Sequence, residues 1–332
     1  MPEPPKYVRA SYGTAVALGL SRGWMEAEPT TMYLLTYVEG KCLANCAFCP
    51  QARDSRSDPS LLSRIAWPPY PAHLVVERCL EAARAGRAMR VCIQAINRPE
   101  ARPQVKWLVS ELSRGGLGPL SVSAPPMSLR ELKELKQLGA ERVSVALDAA
   151  SPRIFEAVKG AAVGAPYTWE GHWRALKKAL KVFGRGSVTT HIIVGLGETE
   201  REAIEVVARL SSMGVLPALF ALTPIPGTRL ESASPPSLAS YRRVQLARHL
   251  IVRGLATLDD FVFNEGGRLV KIKCREVALR EASSGSPFET SGCPSCNRPF
   301  YNERPGSAIY NYPRPLKPKE VELALRELWD VL

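Results

Sequence analysis

The stretch Lys41-Cys42-Leu43-Ala44-Asn45-Cys46-Ala47-Phe48-Cys49-Pro50-Gln51 sets three cysteines at C-x3-C-x2-C spacing. It follows the run Thr31 to Val38, which reads as the first long strand. Three thiolates on so short a loop converge on one centre, and soft sulfur ligands select zinc or an iron–sulfur cluster. A structural zinc site or an ordinary cluster takes four protein ligands, yet no further Cys or His lies within twenty residues on either side. A four-iron cluster held by three cysteines keeps one iron open to a small molecule.

With Phe48 in the aromatic place, the pattern C-x3-C-x-aromatic-C resembles the signature of the radical S-adenosylmethionine (SAM) enzymes. The resemblance implies a [4Fe–4S] cluster on Cys42, Cys46 and Cys49 whose open iron chelates SAM. It further implies one-electron cleavage to a 5′-deoxyadenosyl radical that takes a hydrogen atom from substrate, with Phe48 packed beside the adenine. The cysteines alone leave structural zinc or chance spacing as the other readings.

Working outward, 332 residues with 45% hydrophobic and 23% charged content suit one large α/β domain plus a smaller appendage. The formal net charge of +12 predicts an acidic partner. Aromatics are sparse and the basic residues dispersed, so an acidic protein domain is expected rather than nucleic acid. Eight cysteines, six of them in two clustered sets, without a secretory signal, point to a reducing cytoplasm and to metal ligation rather than disulfides. The apolar run 15–20 is six residues long and broken by Gly19, so neither a signal core nor a membrane span is expected.

In chain order, residues 1–30 read as a Pro-rich tail with a helix from Arg9 to Leu20, and residues 53–71 as a polar connection. Ala72, Val75, Val76, Cys79, Leu80 and Ala83 then repeat at helical period, which puts Cys79 in the core. Strands are predicted at Met89–Ile96, Leu120–Ala124, Arg142–Asp148, Val188–Val194 and Val215–Thr223, with helices between them at Pro103–Ser113 and Trp169–Phe183. Ser128 with Glu131, and Thr199 with Glu202, form capping boxes, and Ser151-Pro152 opens a further short helix. Six strands in this alternation fit the partial, open (β/α)6 barrel that the radical SAM resemblance implies. The expected organisation is an N-terminal helical extension (1–30), the barrel (31–255) and a C-terminal cysteine-bearing extension (256–332).

Ligands of parallel α/β folds gather at the C-terminal ends of the strands. Gly195-Leu196-Gly197-Glu198, after the fifth barrel strand, lets backbone amides approach a ligand. The resemblance implies that Gly195, Gly197 and Glu198 line the adenosine site and that Asp148 contacts SAM; an ordinary turn and a capping Asp are the alternatives. His191 faces the lumen if strand alternation holds, as a satisfied core histidine or a catalytic one.

The segments C-P-Q-A-R after the first cysteines, Arg90-Val91-Cys92 and V-G-L-G-E-T resemble biotin synthases, which place a second, sulfur-donating cluster inside the barrel. Thr189 and residues 121–125 stand where the other barrel cysteines of that family are expected. An internal cluster of that kind thus lacks its other cysteines here, and Cys92, mid-strand with Gln94 on its own face, is either a lumen thiol or, as is more common, a buried apolar one. In the tail, Cys274, Cys293 and Cys296 give C-x18-C-x2-C, with no His after His249. An auxiliary [4Fe–4S] cluster on these three is expected; zinc completed by another ligand, or free thiols, are the alternatives.

The tail run from Cys293 to Gly306, the N-terminal stretch from Arg9 to Leu20, and Tyr33-Leu-Leu-Thr-Tyr37 together resemble the archaeal-type two-component lipoyl synthases. The resemblance implies sulfur insertion at C6 and C8 of a protein-bound octanoyl chain, with the auxiliary cluster as sulfur source. It also implies three partners: an octanoylated acidic carrier, a second homologous radical SAM subunit and an electron donor such as ferredoxin. Ser307 is one candidate for an analogue of the serine that completes the auxiliary cluster in single-chain lipoyl synthases; an exposed loop serine is the more usual reading. Lys177, Lys178 and Lys181 are candidates for steering the carrier, with an ordinary solvated helix face as the more common reading. The alternatives are a biotin-synthase-like or methylornithine-synthase-like enzyme acting on a free small molecule, and a non-enzymatic electron carrier or scaffold.

Overall fold

The computed structural model describes residues 3–303 and 306–332. Its chain opens with strand β1 (Tyr7–Ala10), helix α1 (Tyr12–Ala17) and strand β2 (Thr31–Thr36), followed by the cysteine loop. The single helix expected over Arg9 to Leu20 is thus a strand and a six-residue helix. Val8 and Ala10 alternate into the core, and the Ser11 hydroxyl accepts from the Thr14 amide as the helix cap.

The segment 53–71, expected as a plain connection, contains a small hairpin, β3 (Leu61–Leu62) with β4 (Ile65–Ala66), and then strand β5 (Pro69–Pro71). From there strand and helix alternate as α2 (Ala72–Arg84), β6 (Arg90–Gln94), α3 (Ala101–Arg114), β7 (Leu120–Ser123), α4 (Leu129–Gln137) and β8 (Arg142–Ser144). Next come α5 (Pro152–Lys159), α6 (Trp169–Phe183), β9 (Val188–Val194), α7 (Glu200–Met213), β10 (Val215–Ala221) and α8 (Leu238–Val252). The C-terminal extension carries the ribbon β11 (Phe261–Phe263) and β12 (Leu269–Ile272), then α9 (Arg275–Ser283) and α10 (Pro318–Arg326). Both expected capping boxes form, at Ser128/Glu131 and Thr199/Glu202.

One eight-stranded sheet runs in the order β10-β9-β8-β7-β6-β2-β1-β5. The six strands from β2 to β10 are parallel, and β1 and β5 are added antiparallel at the β2 edge. This is the expected α/β architecture of six parallel strands curled into a partial barrel. The helices cover its outer face, and the main apolar core lies between them and the sheet. Cys79 is fully buried there. On the short strand β8 and its continuation, Val143, Val145 and Leu147 enter the core, while Ser144, Ala146 and Asp148 line the lumen.

β10 and β5 do not pair, so one side of the barrel lacks a strand ladder. The chain from 55 to 68 bridges that side: the Arg56 amide donates to Gly227 O beyond β10 (2.8 Å), and the Ala10 amide on β1 donates to Pro68 O (3.2 Å). The tail packs there too, fastened by α8. Arg242 donates to Tyr310 O (2.6 Å), Gln245 to the same carbonyl (2.9 Å), and the Tyr241 hydroxyl to Asn311 (3.1 Å).

Candidate active site

The strand β2 ends in the loop of Cys42, Cys46 and Cys49, at the C-terminal end of the parallel sheet. Backbone bonds fold that loop tightly: the Cys42 amide donates to Gln51 O (3.0 Å), Cys49 to Cys46 O (3.1 Å) and Ala47 to Val158 O (2.8 Å). Two further amides aim at the Cys42 sulfur, from Asn97 at 3.2 Å and Ala44 at 3.4 Å. Burial pushes the Cys46 thiol up to about 12 and that of Cys49 higher, and each thiol lies close enough to influence its neighbours electrostatically. Three partly buried thiols on one tight loop, with two amides directed at the Cys42 sulfur, suit metal ligation, which removes the proton that burial would otherwise retain.

Beside this loop, Asp148 has a left-handed backbone (φ 66°), which points its carboxylate to Lys159 Nζ at 2.5 Å. Lys159 also donates to Ala146 O (2.6 Å) and lies over the Tyr167 ring. Phe48 and Asp148 both line the central cavity, of about 1110 Å³. Gly195, Gly197 and Glu198 do not. The Glu198 carboxylate folds back onto the amides of Gly195 (2.5 Å) and Leu196 (2.9 Å), so the turn expected to cradle a ligand is engaged by its own side chain. His191 lines the lumen, as alternation predicted, packed on Phe220, and burial lowers it to about 4.

The second thiol set departs from expectation. Cys274 caps α9 outside the residues lining the cavity, whereas Cys92, Cys293 and Cys296 all line it. The ladder explains the difference. Tyr33, Cys92 and Ser121 are register partners across β2, β6 and β7 and form one rung facing the lumen. The tail loop delivers two thiols to this rung: the Tyr33 hydroxyl stands 3.4 Å from Cys296 Sγ, and the hydroxyls of Ser121 and Thr189 stand 3.8 and 3.6 Å from Cys293 Sγ. Thr189, and Ser121 of the segment 121–125, therefore meet a cysteine from elsewhere in the chain. Of the three tail cysteines expected together, the cavity brings together Cys293 and Cys296, with Cys92 rather than Cys274 beside them. Strand register set the grouping, and distance along the chain did not.

The two sets occupy opposite ends of the lumen. The tail loop is fixed at the N-terminal ends of the strands, where Thr30 and Thr31 donate to Ser295 O (2.7 and 2.8 Å) and Arg90 donates to Pro294 O (3.0 Å). Ser295, Arg298 and Phe300 all have positive φ, a concentration of backbone strain in a loop held by its surroundings. Among the described residues no group of three His, Cys, Asp or Glu side chains could hold a single metal ion. Thiolates that each bind a different iron of a cluster stand farther apart than ligands of one ion. Ser307 lines the cavity from the tail, while Lys177, Lys178 and Lys181 lie exposed on α6 outside the lining.

Residues 38–210, more than half of the chain, match the model of the radical SAM superfamily. The chain belongs to this superfamily. As a radical SAM protein it is implied to use a [4Fe–4S] cluster and SAM. It is similar to biotin synthase from Bordetella avium, with 27% identity over 237 residues covering 68% of each chain. It is also similar to the bacteriochlorophyllide c C-7(1)-hydroxylase of Chlorobaculum limnaeum, with 28% identity over 46% of this chain and 40% of that one. Among solved structures it resembles methylornithine synthase, with TM-score 0.51 and 15% identity, covering 73% of this chain and 68% of that one. It also resembles the FeFe-hydrogenase maturase of Carboxydothermus hydrogenoformans, with TM-score 0.52, 14% identity and 69% coverage. The chain spans about half of that maturase (53%), and at these identities the structural likeness shows the fold alone. No helix among the described residues is long and apolar enough to cross a membrane.

Proposed function

We propose that this radical SAM enzyme inserts sulfur into unactivated C–H bonds of a protein-bound octanoyl chain, as one subunit of a two-component lipoyl synthase. The observation that carries the reading is the second thiol set, Cys92, Cys293 and Cys296, facing the same lumen as Cys46 and Cys49. Cys42, Cys46 and Cys49 would hold the SAM cluster, and the second set an auxiliary [4Fe–4S] cluster. Bound there, these groups and SAM would supply hydrogen-abstracting radical chemistry at one end of the lumen and sulfide at the other. The chain's own part is to hold the substrate between the two ends, in a lumen bounded by the tail loop at the N-terminal ends of the strands and by the bridged side. The positive net charge favours encounter with an acidic carrier domain, and a homologous second subunit and a ferredoxin-type electron donor complete the proposed system.

A second reading, a radical enzyme acting on a free small molecule, draws support from the polar wall of Gln94, Ser123, Ser144 and His191 and from the likeness to biotin synthase. Iron and sulfide analysis of anaerobically reconstituted protein tests the metal inventory. About eight irons are expected for wild type, and about four for the Cys92/Cys293/Cys296→Ala variant, if each cluster is a cubane. Cys274→Ala is expected to match wild type. Mass gain of sulfur on an octanoylated carrier peptide, lost in the triple variant, supports the reading; turnover of dethiobiotin in its place overturns it.

A further inference from the structure

Apart from the main core, the lumen holds a second apolar cluster. Tyr33, Leu35 and Trp67 are buried in it, with Leu62, Ile65 and Ile96 packed around them, and it contains the thiols Cys92 and Cys296. All of these residues line the cavity, opposite the polar side chains of β7 to β9. Three of them, Leu62, Ile65 and Trp67, come from the β3–β4 hairpin and the residue after it. Two strands of two residues each lack the area to stabilise a hairpin alone. Its base is closed by the Trp67 amide donating to Ser60 O (2.8 Å), and it is fastened from outside by Gln51 of the cysteine loop donating to Leu61 O (2.7 Å) and Arg9 of β1 to Pro59 O (2.8 Å). A fixed hairpin that turns branched aliphatic side chains into the lumen, beside one thiol set and tied to the loop of the other, is built to hold an alkyl chain between them.

We propose that Leu62, Ile65 and Trp67 form an aliphatic subsite that selects the substrate by the length of its alkyl chain. The inference rests on the reading of this cavity as a site of sulfur insertion and adds the element that chooses the substrate. Each methylene buried against such a wall contributes about 0.8 kcal/mol, or about fourfold in affinity, until the wall ends. A larger side chain at Ile65 shortens the wall, and a polar one weakens it.

The test measures binding to the full-length, anaerobically reconstituted protein with SAM present. The ligands are two homologous series from four to ten carbons, N-acyl-lysine peptides and free n-alkanoates. Wild type is expected to gain about fourfold per methylene and to level off near eight carbons. Ile65→Trp is expected to level off two or more carbons earlier, and Leu62→Ser/Ile65→Ser to lose at least half of the slope. Iron content and circular dichroism equal to wild type certify that each variant is folded, and the Trp and Ser variants check one another. A chain-length profile unchanged in both variants, or no length dependence of wild type in either series, overturns the subsite. Failure of the sulfur-insertion reading is read separately: length-dependent binding with no sulfur gained by the acyl peptide leaves the subsite standing and removes that reading.

Discussion

Tyr33, on the strand that leads into the first cysteine loop, places its hydroxyl 3.4 Å from the sulfur of Cys296 in the tail, 263 residues away along the chain. The same oxygen accepts the Arg298 amide at 2.8 Å. One side chain thus fixes the tail loop to the lumen and supplies a polar contact to a thiol of the second set.

Tyr33→Phe should therefore cost about 1–2 kcal/mol, because it leaves the Arg298 amide without its acceptor and removes the contact to sulfur. Urea denaturation of the apoprotein measures the stability loss. In reconstituted protein the electron paramagnetic resonance signal of the SAM cluster should be unchanged, while that of the proposed auxiliary cluster alone shifts or is lost.

The Asp148–Lys159 pair is almost fully enclosed, with side-chain exposures of 10% and 6%. Removing one partner from such a pair leaves a buried charge, at a cost of about 3–5 kcal/mol. Lys159→Met is expected to destabilise by that order. Lys159→Met with Asp148→Asn should recover much of the loss, since Asn is neutral and tolerates the left-handed backbone. Thermal denaturation of the two variants beside wild type decides this; equal destabilisation by both would show that the pair contributes through packing alone.

His172 is buried among Phe155 and Tyr167, and burial, aided by the Lys159 charge, lowers it to about 3. A histidine whose folded value lies below its unfolded value of about 6.5 favours the fold in its neutral form. Its contribution is complete above about pH 6.5 and is lost progressively as the pH falls toward 3, on the order of a few kcal/mol. His172→Phe should flatten the pH dependence of the melting temperature between about 6 and 4; curves of equal steepness would contradict this assignment.

The sequence by itself determined the superfamily chemistry and the layout of the barrel. The three cysteines of the first loop are neighbours along the chain, so their spacing alone brings them together, and each parallel strand announces itself by a short apolar run between helices of 3.6-residue period. The capping boxes and the buried Cys79 were legible for the same reason, being local or periodic. Cys92, by contrast, looked like one more apolar strand residue, and Cys274 looked like a ligand because it precedes Cys293-Pro-Ser-Cys296. Only the folded chain shows which of them lies beside Cys293 and Cys296: strand register places Tyr33, Cys92 and Ser121 on one rung, and bonds from Thr30, Thr31 and Arg90 lock the tail loop against it. The hairpin at Leu61–Ala66 was hidden in a polar segment for a similar cause, since its stability comes from Gln51 and Arg9 rather than from its own residues. Contacts between residues far apart in the chain depend on sheet order and register, and neither is written in composition or spacing.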